Sequence, residues 1–573
     1  MTATHTEQEA KFEGTGTFDP QSLRGLPSVS RIREADPEEL DAVYYDTADL
    51  RLLAHGVTLR RRGGGHDEGW HVKLPAGDAR KEIHAPLRAG RGGKVPGELN
   101  RWIKAYARGG ALVPVAHLHT HRRRHLLLDK SGRVLAEVAQ DSVSAQVLGT
   151  ERLHPDGEGR TSRPAGRTVE ATGRTAKPAG RNAKPAARTG KAAGRQNGAG
   201  PAPARNDSSG TSTLVTQWSE IEIEREDGDA GLLRAAARRL QADGWHRSPS
   251  AHKLDHALAG ALPPGFTDLE PGRRPRAGSA GAVVMDRLAE QLTVLLSLDA
   301  AVRADAPDAV HQMRTTSRRL RNLLRSHRRV LDRRRTDPVA DELRRLTGAL
   351  AGARDHEVLA ARLSRQAGRL GGPGTEGLAD RIAAQEAVRH AKALKSALAE
   401  LDSPRYHALL DALEDLRADP PLRRKRAGKS AVKHLRKVAA KDRHRLAARI
   451  EAAADTKPGP RRDRALHSAR KAARRTRHTA ESALPYGGKP AAKLRKRTKA
   501  LQQVLGDHQD AVVARAELPG LAVRGHAAGA DTFGYGRLYA LQDDLAADAR
   551  HALPGVWEKA GHRRLVRFTS GKA

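Results

Sequence analysis

The 573-residue chain contains no cysteine. Disulfides and thiolate-held metals are therefore excluded, and a reducing cytoplasm is compatible with the sequence. Aromatic residues make up only 3% of the chain. Reading single-stranded nucleic acid by base stacking needs aromatic platforms, so that mode is disfavoured. No apolar run is long enough to span a bilayer, and no membrane partner is expected. The opening stretch, Met1 to Glu7, has neither the basic nor the apolar region of a signal peptide, so none is expected. P-loops, Gly-x-Ser-x-Gly elbows and His-Glu-x-x-His motifs are missing as well. Acidic charge is in short supply: 103 Lys and Arg stand against 67 Asp and Glu, a net +36. An excess of that size points to a polyanionic partner. Without helix-turn-helix, zinc-finger or RNA-recognition signatures, no specific nucleic acid is expected.

One pattern organises what is present. Read as a helix, His311, Arg314, Arg318 and Arg321 fall within an arc of about 80°. Met313, Leu320, Leu323 and Leu324 occupy a neighbouring face. His467, Arg470, Arg474, Arg475 and Arg477 repeat the spacing of His311, Arg314, Arg318, Arg319 and Arg321 after 156 residues. A second signal follows each copy: Leu350 to Val358 aligns with Leu505 to Val513, after 155 residues. Such internal similarity predicts two helical units about a pseudo-two-fold axis, their basic stripes facing one another across a groove. A solvated helix face would interleave acids for i,i+4 pairing. Neither stripe holds an acid before Glu481. The doubled, unrelieved pattern favours an anion site over a solvated face.

The N-terminal third reads differently. Glu7, Glu9 and Lys11 alternate, as they would along one face of a strand. Arg60 and Arg62, His71 and Lys73, Arg80 and Glu82, Arg122 and Arg124, Glu137 and Asp141, and Glu222 and Glu224 do the same. Which face of the Arg122–Arg124 strand turns inward depends on register to within one residue. Strands with charge on one face predict an antiparallel barrel with a polar interior. Basic and acidic strands together fit cations that grip phosphate and carboxylates that hold a divalent metal.

This region resembles the CYTH superfamily, the triphosphate tunnel enzymes. The likeness rests on Glu7-x-Glu9-x-Lys11, Tyr44-Tyr45-Asp46-Thr47, Leu59-Arg60-Arg61-Arg62, the Trp70 to Pro75 strand and Glu222-Ile223-Glu224. It implies an eight-stranded tunnel whose catalytic residues include Glu7, Glu9 and Lys11. By the same likeness, Lys11, Arg60, Arg62, Lys73, Arg80, Arg122, Arg124 and Lys253 would bind phosphate. Glu7, Glu9, Glu222 and Glu224 would hold Mg²⁺ or Mn²⁺, with Glu137 and Asp141 as further contributors. Adenylate cyclases occur in the same superfamily, and the residues alone do not separate the two activities. The later region, from 280 to 566, resembles the CHAD domain through the two His-x-x-Arg-x-x-x-Arg-Arg-x-Arg stretches and Arg354-Asp355-His356-Glu357-Val358. That likeness implies inorganic polyphosphate in a central basic channel lined by His311, Arg314, Arg318, Arg319, Arg321, His467, Arg470, Arg474, Arg475 and Arg477.

The expected architecture is thus α+β with two domains. An antiparallel eight-stranded tunnel spans 1–260, a linker 261–279, and an all-α bundle with an internal two-fold repeat 280–566. An Ala/Gly/Pro/Arg-rich insertion at 151–212 carries 12 basic and 5 acidic residues and is expected to stay disordered. The expected function is a cytoplasmic, polyphosphate-associated protein, which leaves association with polyphosphate granules open. Its tunnel would be a metal-dependent triphosphatase or short-chain polyphosphatase, and its bundle a docking module for inorganic polyphosphate or triphosphate. The alternatives are a polyphosphate-binding protein with an idle tunnel and, behind it, a nonspecific nucleic-acid binder.

Overall fold

The computed structural model describes residues 3–14, 17–76, 79–90, 94–148, 215–262 and 274–568. The insertion expected at 151–212 and residues 263–273 of the expected linker lie outside them. The strands are β1 (Ala3–Glu7), β2 (Glu9–Glu13), β3 (Arg31–Thr47), β4 (Thr58–Gly63), β5 (Gly69–Ala76), β6 (Ala79–Ala85), β7 (Leu112–Leu128), β8 (Val134–Val147), β9 (Val215–Arg225) and β10 (His246–Arg247). They form one curled antiparallel sheet in the order β1-β6-β5-β4-β3-β7-β8-β9-β2-β10.

The two ends of that order are joined covalently. β1 and β2 are one extended segment broken at Gln8, whose carbonyl accepts from the Arg225 amide at 2.9 Å. The first half pairs with β6, Glu7 opposite Arg80. The second half pairs with β9, Lys11 opposite Glu222. Counted as one, they give eight staves plus the two-residue β10. The tunnel is only partly closed: the first half of the closing strand pairs with β6 alone, and the second half pairs with β9 and, on its other edge, only with the two-residue β10.

Among the described residues, four short α-helices belong to this part: α1 (Arg51–Ala54), α2 (Gly97–Ala107), α3 (Ala230–Ala242) and α4 (Lys253–Leu258). They explain why the charges face inward. Phe12 of β2 and Ile221 and Ile223 of β9 are buried on the outside of the sheet, under Leu232, Ala236 and Leu240 of α3. Alternation then turns Glu9, Lys11, Glu222 and Glu224 to the inside. Leu59, Trp70, Val72 and Ile83 likewise turn outward, against Leu99 and Ile103 of α2. One stretch of inner wall is apolar: Tyr44, Leu118 and Val143 pack on Leu254 and Leu258 of α4.

The remaining chain is helical: α5 (Ala280–Arg303), α6 (Ala309–Ser326), α7 (Arg333–Ala349), α8 (Ala351–Leu370), α9 (Leu378–Leu401), α10 (Pro404–Ala418), α11 (Arg424–Ala427), α12 (Ala431–Ala454), α13 (Pro460–Ser482), α14 (Leu484–Ala527) and α15 (Phe533–Gly561). None of the described helices is long and apolar enough to cross a membrane. The internal repeat appears as paired contacts. The Ala280 amide donates to the Lys429 carbonyl at 2.7 Å, and the Ala431 amide donates to the Gly278 carbonyl at 2.8 Å. These reciprocal bonds tie together the starts of α5 and α12. Asn322 Nδ2 lies 2.9 Å from His478 Nδ1. Those two positions are 156 residues apart, so repeat-equivalent residues of α6 and α13 meet each other.

The sheet and the bundle share one apolar cluster, from Trp70 and Ile83 through α2 to Leu288 and Leu292 of α5. Ion pairs reinforce the contact. Arg108 is bonded to Asp411 and Glu414 of α10, and His55 Nε2 lies 2.7 Å from the same Glu414.

Candidate functional site

Two charged cavities emerge. The first lies inside the sheet and has a volume of about 310 Å³. Glu7, Glu9, Lys11, Arg60, Arg62, Lys73, Arg80, Arg122, Glu222, Glu224 and Lys253 all line it. Of the tunnel residues expected from sequence, Arg124 and Asp141 fall outside that lining, Asp141 being fully buried behind Arg122. Arg124 is placed differently. It shares the Arg122 face but is held by Glu137 at 2.7 Å and Glu38 at 3.0 Å. Arg122 lines the cavity, so the face it shares with Arg124 is the one turned inward.

The lining is a lattice of opposite charges. Lys73 donates to Glu7 at 2.6 Å. Arg122 grips Asp141 with two nitrogens, at 2.8 and 2.7 Å, and reaches Glu222 at 2.8 Å. Lys11 is bonded to Glu222, and Arg80 Nε lies 3.6 Å from Glu9. Burial would lower the Lys11 ammonium, but Glu222 and Glu9 raise it above its ordinary value. Burial likewise opposes charge on Glu82, yet Lys73 and His71 hold that carboxyl well below the usual range. Sequence reasoning left Tyr44, Glu82, Glu220 and His252 without roles. The alternation of Arg80 with Glu82, and of Glu220 with Glu222, was the available signal.

Among the described residues, one carboxylate trio inside the sheet converges closely enough to hold a cation. Asp141, Glu220 and Glu222 present oxygens within 4.8 Å of one another. The Lys253 ammonium already sits 2.9, 2.5 and 2.6 Å from those three side chains. That trio is neutralised from within. Glu224 is different. Burial, reinforced by the charges of Glu7, Glu9 and Glu222, pushes its carboxyl up to about 8 against the pull of Lys73. Burial notwithstanding, Lys11 and Lys73 hold Glu9, and Lys11 and Lys253 hold Glu222, below their ordinary values. Carboxylate oxygens are the donors that a hard divalent cation takes.

The second cavity is a groove of about 850 Å³ between α6 and α13. His311, Arg314, Arg318 and Arg321 line it from one repeat. His467, Arg470, Arg474, Arg475 and Arg477 line it from the other. The second sequence signal now has a structural meaning. Asp355 accepts from Arg314 at 2.9 Å, and its repeat equivalent Asp510 lies 3.5 Å from Arg470. Each acid positions the first arginine of its stripe. The arginines deeper in the groove are crowded by their own kind. Burial, with Arg474 and Arg314 next, pulls Arg318 down to about 9. Burial, with Arg470 and Arg477 next, pulls Arg474 down to about 10.

Arg319 departs from the expected set. It lines a separate cleft with Arg287 and His478, 3.5 Å from Glu481. Consecutive helical residues are 100° apart, and in α6 that rotation carries Arg319 away from the groove that Arg318 lines. Its repeat partner Arg475 does reach the groove, but its Nε is held by Asp442 at 2.8 Å. Arg362, Arg445 and Arg449 also line the groove and were not singled out from the sequence.

A curled antiparallel sheet with a charged interior, followed by a two-fold helical bundle with a basic groove, defines a two-module architecture. The CYTH domain family matches residues 5–149, and the CHAD domain family matches residues 286–519. Uncharacterized proteins from two strains of Mycobacterium tuberculosis are each 35% identical over 567 residues, covering 97% of this chain and 96% of theirs. The chain therefore belongs to the family of proteins in which a CYTH domain precedes a CHAD domain. Among solved structures, PptA from Streptomyces chartreusis aligns with 49% of this chain and 99% of its own, at 23% identity and a TM-score of 0.42. The CHAD domain from the plant Ricinus communis aligns with 50% and 96%, at 26% identity and a TM-score of 0.40. CYTH domains form a superfamily of metal-dependent, triphosphate-processing enzymes.

Proposed function

We propose that this chain is a polyphosphate-associated protein, with a metal-dependent triphosphatase or short-chain polyphosphatase in the tunnel and an inorganic-polyphosphate dock in the groove. One observation carries the reading. Two stripes 156 residues apart in sequence converge on one groove, and their arginines are crowded enough that Arg318 falls to about 9. Like charges are held this close only at a cost in stability, which a polyanion would offset. Guanidinium forks match phosphate oxygens in bidentate pairs, and few aromatics means that backbone charge rather than bases is read.

In the tunnel, Glu7, Glu9, Glu222 and Glu224 would hold Mg²⁺ or Mn²⁺. Such a cation neutralises phosphate charge and lowers the pKa of bound water. The chain's own residues do the rest. Arg60, Arg62, Lys73, Arg80 and Arg122 approach the cavity from β4, β5, β6 and β7, so they surround a triphosphate rather than touch one end of it. Arg62 is pulled down to about 9 by burial and by Arg60 and Arg122. An anion between these guanidinium groups would restore its charge preference. Rigid strands fix all of them, which is the preorganisation that phosphoryl transfer needs.

The test is phosphate release from tripolyphosphate with Mg²⁺ or Mn²⁺, by the full chain and by Glu9→Ala. Metal-dependent release lost in the variant supports the enzyme reading. Tight polyphosphate binding with no release would leave a binding protein with an idle tunnel.

A further inference from the structure

The outer face of the same sheet carries a cluster that neither the tunnel nor the groove uses. β7 turns His117, His119, His121 and Arg123 outward, while Leu118, Thr120 and Arg122 face the other way. β3 lies beside it with Glu34, Glu39 and Asp41 on the same outer face. Most rungs of this ladder pair one base with one acid. His121 Nδ1 is 2.6 Å from Glu39, and Arg123 is 2.9 Å from Glu34. The rung at Asp41 breaks that rule. His117 Nε2 lies 2.9 Å from Asp41 Oδ1, and His119 Nδ1 lies 3.3 Å from Asp41 Oδ2. Two imidazoles converge on one carboxylate, their ring centroids 4.4 Å apart.

We infer that Asp41, His117 and His119 form a surface site for a borderline transition cation such as Zn²⁺ or Co²⁺. Three donors, one from each residue, lie within 4.8 Å of one another. Tetrahedral coordination at about 2.0–2.2 Å from N and O donors puts neighbouring ligands roughly 3.3 Å apart. The two histidine–aspartate spacings, 2.9 and 3.3 Å, already approach that value. The backbone sets them there: His119 stands directly opposite Asp41 in the β3–β7 register, and His117 is two residues along on the same face. Imidazole with a single carboxylate suits Zn²⁺, Co²⁺, Ni²⁺ or Cu²⁺, whereas Mg²⁺ and Ca²⁺ demand oxygen donors. The tunnel's all-carboxylate group and this site therefore sort cations by class. The side chains of Asp41 and His119 are 53% and 62% exposed, so the fourth position is open to water or to a ligand from solution. A cation here would clip β3 to β7, the two 17-residue strands of the sheet.

The experiment is Co²⁺ binding by the full chain, stripped of metal by a chelator and kept in excess Mg²⁺ so that oxygen-donor sites are filled. Stoichiometry by equilibrium dialysis and the visible d–d absorption of Co²⁺ are read together. The site predicts one Co²⁺ per chain, displaced by Zn²⁺, with a rise in melting temperature on adding Zn²⁺. His119→Gln and Asp41→Asn, both at exposed positions, lose the ion and the rise. His121→Gln, one rung along, and Glu9→Ala, inside the tunnel, keep both. Unchanged Co²⁺ stoichiometry in His119→Gln and Asp41→Asn overturns the inference, as does the absence of any Co²⁺ bound over Mg²⁺. Loss in Glu9→Ala instead would assign the ion to the tunnel.

Discussion

Replacing Arg318 by Met should make the protein more stable and a poorer polyphosphate binder. The arginine falls from its ordinary value to about 9 in the fold, first through burial and then through Arg474 and Arg314. A base with a lowered folded pKa is disfavoured as a cation, and that penalty is fully present at every pH below about 9. At about 1.4 kcal/mol per pH unit, the shift sets a ceiling of roughly 5 kcal/mol. Counterions and side-chain relaxation reduce it, so about 1–2 kcal/mol is the expected gain. Methionine keeps the apolar stem and removes the charge. At roughly 2–4 °C per kcal/mol for domains of this size, melting should rise by a few degrees. Differential scanning calorimetry at low salt reads it directly, and high salt should shrink the difference. Long-chain polyphosphate should then raise the wild-type melting temperature more than the variant's. Arg474→Met should act the same way, with a smaller gain, because Arg474 falls only to about 10. A variant that melts lower, or gains as much from polyphosphate as the wild type, would refute the crowding argument.

Other outcomes follow from the same geometry. Glu9→Ala should abolish metal-dependent phosphate release yet leave long-chain polyphosphate binding intact, measured on one preparation. Glu414→Ala should destabilise the contact between sheet and bundle by about 1.5–3 kcal/mol, because it strips a charged partner from the nearly buried Arg108. Burial notwithstanding, His55 and Arg108 hold Glu414 down at about 2. Its contribution is therefore present above pH 4.5 and fades as pH falls towards 2, which limited proteolysis between the domains will show. His327 and His434 contact each other at 2.8 Å and are pulled down to about 3 and about 4, chiefly by burial. Both stay neutral in the fold while the unfolded chain protonates near 6.5. Stability should thus be full above pH 6.5 and fall by up to roughly 1.4 kcal/mol per histidine per pH unit below it. Denaturant midpoints at two pH values, with His434→Gln as the comparison, check the slope. Finally, polyphosphate should outcompete duplex DNA for the groove at matched phosphate and salt.

Some of this was readable from the residues alone. Strand alternation in Lys11/Phe12 and Glu222/Ile223 told which side chains share a face, because the period of a strand is two. The helical stripe was equally legible for Arg314, Arg318 and Arg321, where spacing alone sets the arc. Arg319 was not, since it entered through the repeat rather than the arc, and 100° of rotation carries it to Glu481. The break at Gln8 was also hidden. An unbroken alternation reads as one strand, and only closure of the sheet divides it between β6 and β9. For Glu220, alternation with Glu222 gave the face but not the partner: Lys253 is 33 residues away, and pairing at that range has no periodic signature. The Asn322–His478 contact carries no local signal either, because it exists only where the two repeats meet.

The most direct test of the central claim is equilibrium binding of long-chain polyphosphate to the full chain, beside Arg318→Glu combined with Arg474→Glu, at one fixed salt concentration. The groove predicts tight binding by the wild type and its loss in a double variant that still folds. Equal affinity in the two proteins would contradict the account.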